Sequence, residues 1–248
     1  MRLSVHFMPA GVQAADLAGR PVIVVDLLRA TSTIVAALAN GARAVVPAVA
    51  TDEAIRIAQN LERDGVLLAG ERGGERISGF ALGNSPGEMT PETVGGKIVV
   101  MSTTNGTPAI RAAEGGTPVL IGAATNFAAT VARTRAVLGE DGDLAILCAG
   151  RERGFALEDA YAAGRFAQAL IPVGARRRVA LNDAAIAALE LIKRYGDKWK
   201  RAVAASTAAR ELIAKGFKED VVAVTECDRY DVVPVYADRQ ITLQASRA

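Results

Sequence analysis

One histidine, His6, and two cysteines, Cys148 and Cys227, are all that 248 residues contain of those two types. A mechanism that needs a pair of histidines is excluded, and two cysteines are too few for a disulfide framework or a structural zinc site. Any metal ligands must then be oxygens, which points to magnesium. Aromatic residues make up 4% of the chain, and 29 Lys and Arg stand against 27 Asp and Glu for a formal charge of +2. That leaves neither the basic stripe nor the stacking rings that nucleic acid requires, so nucleic acid is not an expected partner. No apolar run approaches the roughly 20 residues of a membrane span. The opening M-R-L-S-V-H-F-M-P-A lacks the apolar region of a signal peptide. No membrane association is expected, and the expected location is cytoplasmic. No G-x-x-x-x-G-K-[ST] occurs and no G-x-G-x-x-G follows a strand, which argues against a P-loop or a dinucleotide fold.

What is present is organised around residues 21–33, P-V-I-V-V-D-L-L-R-A-T-S-T. A continuous β-branched run reads as a strand buried on both faces of a parallel sheet, and this one ends at Asp26. Thr31 and Ser32 are placed to cap a helix that carries Ile34, Val35 and Leu38 on one side and stops at Asn40-Gly41. Asp26, Arg29 and the hydroxyls of Thr31, Ser32 and Thr33 then lie between a strand end and a helix start. Open α/β sheets bind ligands there, and helix amides favour an anion such as phosphate. The plainer alternative is that Asp26 only satisfies loop amides.

Strands are expected over 2–7, 44–46 and 66–69, with a helix opening at Thr51. Residues 70–88 show no period of either kind, and a loop of that length in a compact domain is more often functional than idle. Shifting the sequence by 75 places Ile23-Val24-Val25 on Ile98-Val99-Val100, and Ala37 and Gly41 on Ala112 and Gly116. This weak internal βαβ repeat sets D-L-L-R-A-T-S against M-S-T-T-N-G-T, so two polar strand ends are expected to face one crevice. A strand over 143–148 leads to a helix over about 158–170 with Glu158 and Asp159 in its first turn. There the helix dipole alone favours acids by about 0.3–1 kcal/mol. From residue 182 onward the chain reads as helices over 183–195, 197–204, 207–215 and 218–227, then strands over 232–236 and 240–243. The expected fold is α/β, a layered α/β/α arrangement with a largely parallel or mixed sheet and a helical C-terminal addition. It forms a single domain, with a core to about residue 175 and a helical cap with closing strands beyond it.

Two phosphatase types fail on spacing. A haloacid-dehalogenase nucleophile needs a second carboxylate two residues on, where Leu28 stands, and a thiolate loop at Cys148 needs Arg six residues on, where Gly154 stands. The strand-end residues nevertheless agree in type. Asp26, Glu71, Glu158 and Asp159 offer hard oxygen ligands, and Arg29, Arg72, Arg151 and Arg153 offer planar donors. Thr104, Asn105, Gly106 and Thr107 offer hydroxyl, amide and backbone groups. Together they describe a multiply anionic substrate bridged by a metal.

In order along the chain, D-L-L-R-A-T-S-T (26–33), A-G-E-R-G-G (69–74), G-F-A-L-G-N-S-P (79–86), T-T-N-G-T (103–107), C-A-G-R (148–151) and L-E-D with A-A-G (157–164) resemble the 2-phosphosulfolactate phosphatase family. The resemblance implies a magnesium-dependent phosphoric monoester hydrolase that converts 2-phospho-3-sulfolactate to 3-sulfolactate and phosphate in coenzyme M biosynthesis. It adds Asn84 and Ser85 to the expected substrate contacts. The expected roles are catalysis by Asp26, Glu71 and Asp159 and metal ligation by these three with Glu158. Phosphate binding is expected at Arg29 and the helix start at Thr31, Ser32 and Thr33, facing Thr104, Asn105, Gly106 and Thr107. Arg72 or Arg151 would clamp the carboxylate or sulfonate. Where the family often has an acid this chain has Ala81. The alternatives are a phosphatase for another phosphorylated hydroxy acid and a non-catalytic anion-binding protein on the same fold. Homodimer formation is left open.

Overall fold

A computed structural model describes residues 1–61, 65–138, 142–172, 174 and 179–243. The boundary expected near residue 175 falls outside them. The strands are β1 (Arg2–His6), β2 (Val22–Val25), β3 (Ala44–Ala48), β4 (Val66–Arg72), β5 (Glu75–Arg76), β6 (Ile98–Ser102), β7 (Val119–Gly122), β8 (Leu144–Cys148), β9 (Ala180–Leu181), β10 (Pro234–Ala237) and β11 (Gln240–Leu243). The helices are α1 (Ala14–Leu17), α2 (Ala30–Ala39), α3 (Thr51–Asn60), α4 (Pro91–Val94), α5 (Gly106–Ala112), α6 (Phe127–Leu138), α7 (Leu157–Leu170), α8 (Asp183–Tyr195), α9 (Trp199–Ala204), α10 (Thr207–Ala214) and α11 (Lys218–Ala223).

One mixed sheet runs in the order β5-β4-β6-β3-β11-β10-β7-β2-β8-β1-β9. Its parallel pairs fall into two groups, β4-β6-β3 and β7-β2-β8-β1-β9. The antiparallel hairpin β10–β11 joins them, pairing Tyr236 with Val119 on one side and Ile241 with Val45 on the other. Helix α3 packs on β3, β4 and β6, α6 and α7 pack on β7 and β8, and α2 and α5 reach strands of both groups. Val22 to Val25 are fully buried, as a β-branched strand covered on both faces must be.

The 75-residue shift carries β2-α2-β3-α3-β4 onto β6-α5-β7-α6-β8 in the same order. The two copies interlock: β2 lies between β7 and β8, and β6 lies between β3 and β4, so each copy's first strand is completed by the other copy. Three local features differ from the sequence reading. Helix α2 begins at Ala30 with Arg29 at its N-cap and no side-chain cap, because the Thr31 and Ser32 hydroxyls bond back to the preceding loop. Strand β4 continues to Arg72, so Glu71 stands on a strand end and not in a free loop. The closing strands belong to the middle of the sheet and not to the helical cap with which they were grouped, since a period of two reveals a strand without revealing its neighbours.

Ile241 is fully buried between the two parallel groups although it stands near the end of the chain. Truncating a buried Ile to Ala removes packing and leaves a cavity, at a cost of about 2–5 kcal/mol. Ile241→Ala is expected to lose that much stability in urea unfolding. A loss under about 1 kcal/mol, as a frayed terminal strand would give, contradicts the central placement of the hairpin.

Candidate active site

The C-terminal ends of β2, β4, β6 and β8 converge on one cleft, lined by Asp26, Leu28, Arg29, Glu71, Gly73, Gly74, Asn84, Thr104, Asn105, Gly150, Arg151, Glu152, Glu158 and Asp159. Its remaining wall is α10 with Lys215 just beyond it, which contribute Ala208, Glu211, Leu212 and Lys215.

Four carboxylates form the floor, each less than a tenth exposed. Asp159, in the first turn of α7, accepts the Leu27 amide at 2.9 Å on Oδ1 and the Gly150 amide at 3.1 Å on Oδ2, clasping the ends of β2 and β8. Glu71 accepts the Thr104 amide at 2.7 Å on Oε1, and on Oε2 the Gly74 amide at 2.7 Å and the Thr104 hydroxyl at 3.1 Å. It thereby ties the ends of β4 and β6. Asp26 takes the first amide of α2, Ala30, at 3.2 Å on Oδ1, while among the described residues no hydrogen bond reaches Oδ2. Gly106 presses on that free oxygen: a Cβ there would lie 2.6 Å from Oδ2 and closer still to the Ala30 Cβ. The two loops matched by the internal shift therefore do meet, and a side chain at 106 would strain the fold as well as the cleft.

Burial and like charge act together on this floor. Desolvation, with Glu71 and Glu158 adding to it, lifts Asp26 to about 7. Desolvation and the Asp26 charge push Asp159 well above the usual carboxylate range, and desolvation raises Glu158. Cys148 is fully buried below them and its thiol is pushed up as well, so it stays neutral.

Arg29 reaches the cleft but is held from behind. Its Nη1 pairs with Asp220 Oδ2 of α11 at 2.6 Å, its Nη2 donates to the Gly74 carbonyl at 2.6 Å, and the Phe217 ring lies 4.4 Å away. The Ser85 hydroxyl donates to the other Asp220 oxygen, so Ser85 works behind the wall and not in the cleft. Thr31 bonds to Asp26 backbone groups, Ser32 to the Leu27 carbonyl and Thr33 to the Asn84 carbonyl. All three are buried and none lines the cleft. Thr107 closes a reciprocal pair with Thr103 and also stays out of the lining. Arg72 turns away to Ser102 Oγ at 2.9 Å and backbone carbonyls, and Arg153 sits on a turn outside the lining. Ala81 is exposed and outside it too. Arg151 faces Glu211 Oε2 at 2.5 Å, and Asn105 accepts the Glu152 amide at 3.3 Å.

The α10 wall and Asp220 were not anticipated, because an acid or a lysine on a helix carries no mark of the cleft it faces until the helix is docked. The one available signal was spacing. Residues 208, 211, 212 and 215 recur at three- and four-residue steps and so share one helix face.

A family model described as 2-phosphosulpholactate phosphatase matches residues 6–239. Proteins named probable 2-phosphosulfolactate phosphatase include one from Symbiobacterium thermophilum, 38% identical over 93% of this chain and 97% of that protein. Others come from Caldanaerobacter subterraneus, 36% identical over 88% of each chain, and from Thermotoga maritima, 35% identical over 87% of this chain and 88% of the other.

Two outcomes follow from this geometry. Asp220→Ala leaves Arg29 charged with only 2% of its side chain exposed, and losing one partner of a buried pair costs about 3–5 kcal/mol. Breaking the exposed Lys193–Glu190 pair should cost less than about 1 kcal/mol, and chemical denaturation of the two variants makes the comparison. The second outcome concerns pH. Asp26 has an ordinary value of 3.8 and is raised to about 7, so the metal-free folded state binds protons that the unfolded chain has already released. Asp159 and Glu158 act in the same sense. That contribution is whole below about pH 4 and is lost as pH rises through about 7. In chelator, the thermal midpoint is expected to fall from pH 5 to pH 8, and to fall less in Asp26→Asn.

Proposed function

The chain belongs to the 2-phosphosulpholactate phosphatase family and is a phosphatase, and from that premise we propose that its cleft hydrolyses 2-phospho-3-sulfolactate to 3-sulfolactate and phosphate with a magnesium ion, in coenzyme M biosynthesis. The observation that carries this reading is the charge of the cleft. Asp26, Glu71, Glu152, Glu158, Asp159 and Glu211 line it against only Arg29, Arg151 and Lys215. A phosphate ester that also bears a carboxylate and a sulfonate is repelled from such a surface unless a cation accompanies it.

Magnesium fits these donors. It prefers carboxylate oxygens and takes only one or two of them, the rest of its shell coming from substrate oxygens and water. Among the described residues no three His, Cys, Asp or Glu side chains are gathered into a ready-made cage, so the ion would rest on fewer carboxylates than the four the sequence offered. Asp26, with Oδ2 unbonded, and Glu158 would hold the ion, since Glu71 and Asp159 are engaged by backbone amides on both oxygens. The ion would neutralise the phosphoryl oxygens as charge shifts in the transition state.

The chain's own residues supply position. Asp159 and Glu71 fix the four strand ends relative to one another, and Arg29, braced by Asp220, presents its guanidinium to the phosphoryl group. Asn84, Thr104 and Asn105 line the cleft with amide and hydroxyl groups that orient the ester. Water adds its oxygen to phosphorus, the P–O bond to the carbon skeleton breaks, and the departing oxygen gains the proton that the water gives up.

Asp26→Asn is expected to lower magnesium-dependent phosphate release by at least about 100-fold, with a thermal midpoint no lower than wild type at pH 8. Chelator should stop wild-type turnover and added magnesium restore it. Wild-type rates that ignore chelator, or an Asp26→Asn variant within a few-fold of wild type, would remove the metal reading. Comparing phosphosulfolactate with phospholactate and nitrophenyl phosphate separates the proposed substrate from other phosphorylated hydroxy acids.

A further inference from the structure

The proposed substrate carries a second anionic end, and the cations expected to receive it are committed elsewhere. Arg72 points out of the cleft to Ser102 and backbone carbonyls. Arg151 is matched by Glu211 at 2.5 Å and by Glu152 at 3.4 Å, so its charge is already compensated. Arg29, paired with Asp220, stands at the phosphoryl end of the cleft and not at the second anion. Lys215, at the C-terminal end of α10, is the remaining basic residue of the lining. Among the described residues it meets no carboxylate, and its Nζ donates only to the carbonyl of Gly73.

The placement suits a group that holds an anion at the mouth. Lys215 is exposed and lines the same cleft as the buried carboxylate floor, so a ligand with its phosphoryl group at Asp26 would have α10 beside its outer end. The Gly73-Gly74 turn lies within contact range of the Lys215 side chain. A Cβ on Gly74 would stand 3.7 Å from Lys215 Cδ and 3.8 Å from Nζ, and Gly73 and Gly74 adopt φ of +59° and +87°. The same turn reaches the floor, because the Gly74 amide donates to Glu71 and its carbonyl accepts from Arg29. Lys215 is thus joined to the phosphoryl end of the cleft through one short backbone segment.

We propose that Lys215 is the specificity-determining residue that binds the sulfonate or carboxylate end of the substrate, selecting esters with a second anion over simple phosphate monoesters. This rests on the phosphatase reading of the cleft. An ammonium on a flexible stem suits a role of this kind, since it acts as a point charge without demanding one planar geometry.

The test compares Lys215→Met and Lys215→Arg with wild type in magnesium. For Lys215→Met the ratio of kcat/KM for phosphosulfolactate to that for nitrophenyl phosphate should fall at least tenfold, mostly through a higher KM, and Lys215→Arg should recover most of it. Equal losses on both esters, or no loss on either, overturn the proposal. Titration with 3-sulfolactate, which has no phosphate to release, gives a readout independent of turnover. Affinity at least tenfold weaker in Lys215→Met supports the assignment even if wild type hydrolyses neither ester, in which case only the substrate reading fails. Equal affinity in the two proteins, or no binding by wild type, overturns the Lys215 assignment.

Discussion

Four acidic side chains brought out of water at one point repel one another, and much of the surrounding architecture answers that repulsion. Asp159 and Glu71 are each held by two backbone amides from different strand ends, so fixed dipoles support their charge. Asp26 has one such amide and burial lifts it to about 7, while burial and the Asp26 charge push Asp159 up in spite of its two amides. The amides that calm the floor are the same groups that join β2 to β8 and β4 to β6. Electrostatic support for the site and closure of the loops around it are therefore one set of hydrogen bonds.

The interlocked strands explain how acids distant in sequence come together. Because β2 is completed by β7 and β8, and β6 by β3 and β4, the ends of all four site strands approach from two groups of the sheet. The hairpin β10–β11 holds those groups at a set spacing, and α2 and α5 span them. Gly106 sits where this approach is closest, against Asp26 and Ala30, and space there requires the absence of a side chain.

The alternating elements were legible because their signals are local. A β-branched run such as Val22 to Val25 must be covered on both faces, and a polar residue ending it must lie at the sheet's rim. Which strand ends meet was half legible, since the internal shift matched the β2 and β6 loops but carried nothing about interlocking. Residue type did not say which way a side chain points. Thr31, Ser32 and Thr33 carry phosphate-binding chemistry, yet their hydroxyls are used by the loop carbonyls and amides around them. Arg72 follows Glu71 on a strand, so the alternation of side chains sends the two to opposite faces. Asn84 and Ser85 divide in the same way, one lining the cleft and the other bonded to Asp220 behind it.

The helical C-terminal part was the least legible, and its chemistry is indirect. Among the described residues Asp220 is hydrogen-bonded to the cleft lining only through Arg29, and it balances a guanidinium that would otherwise be buried without a counter-charge. Glu211 does the same for Arg151 nearer the surface. Neither acid announces itself in a sequence, because an exposed and a buried Glu or Asp on a helix look alike until the helix is docked. Once α10 and α11 are in place, two of the three cations around the cleft are matched by acids from those helices and the third is not. The part of the chain that read as a helical addition thus decides which positive charges around the cleft are matched by acids and which is not.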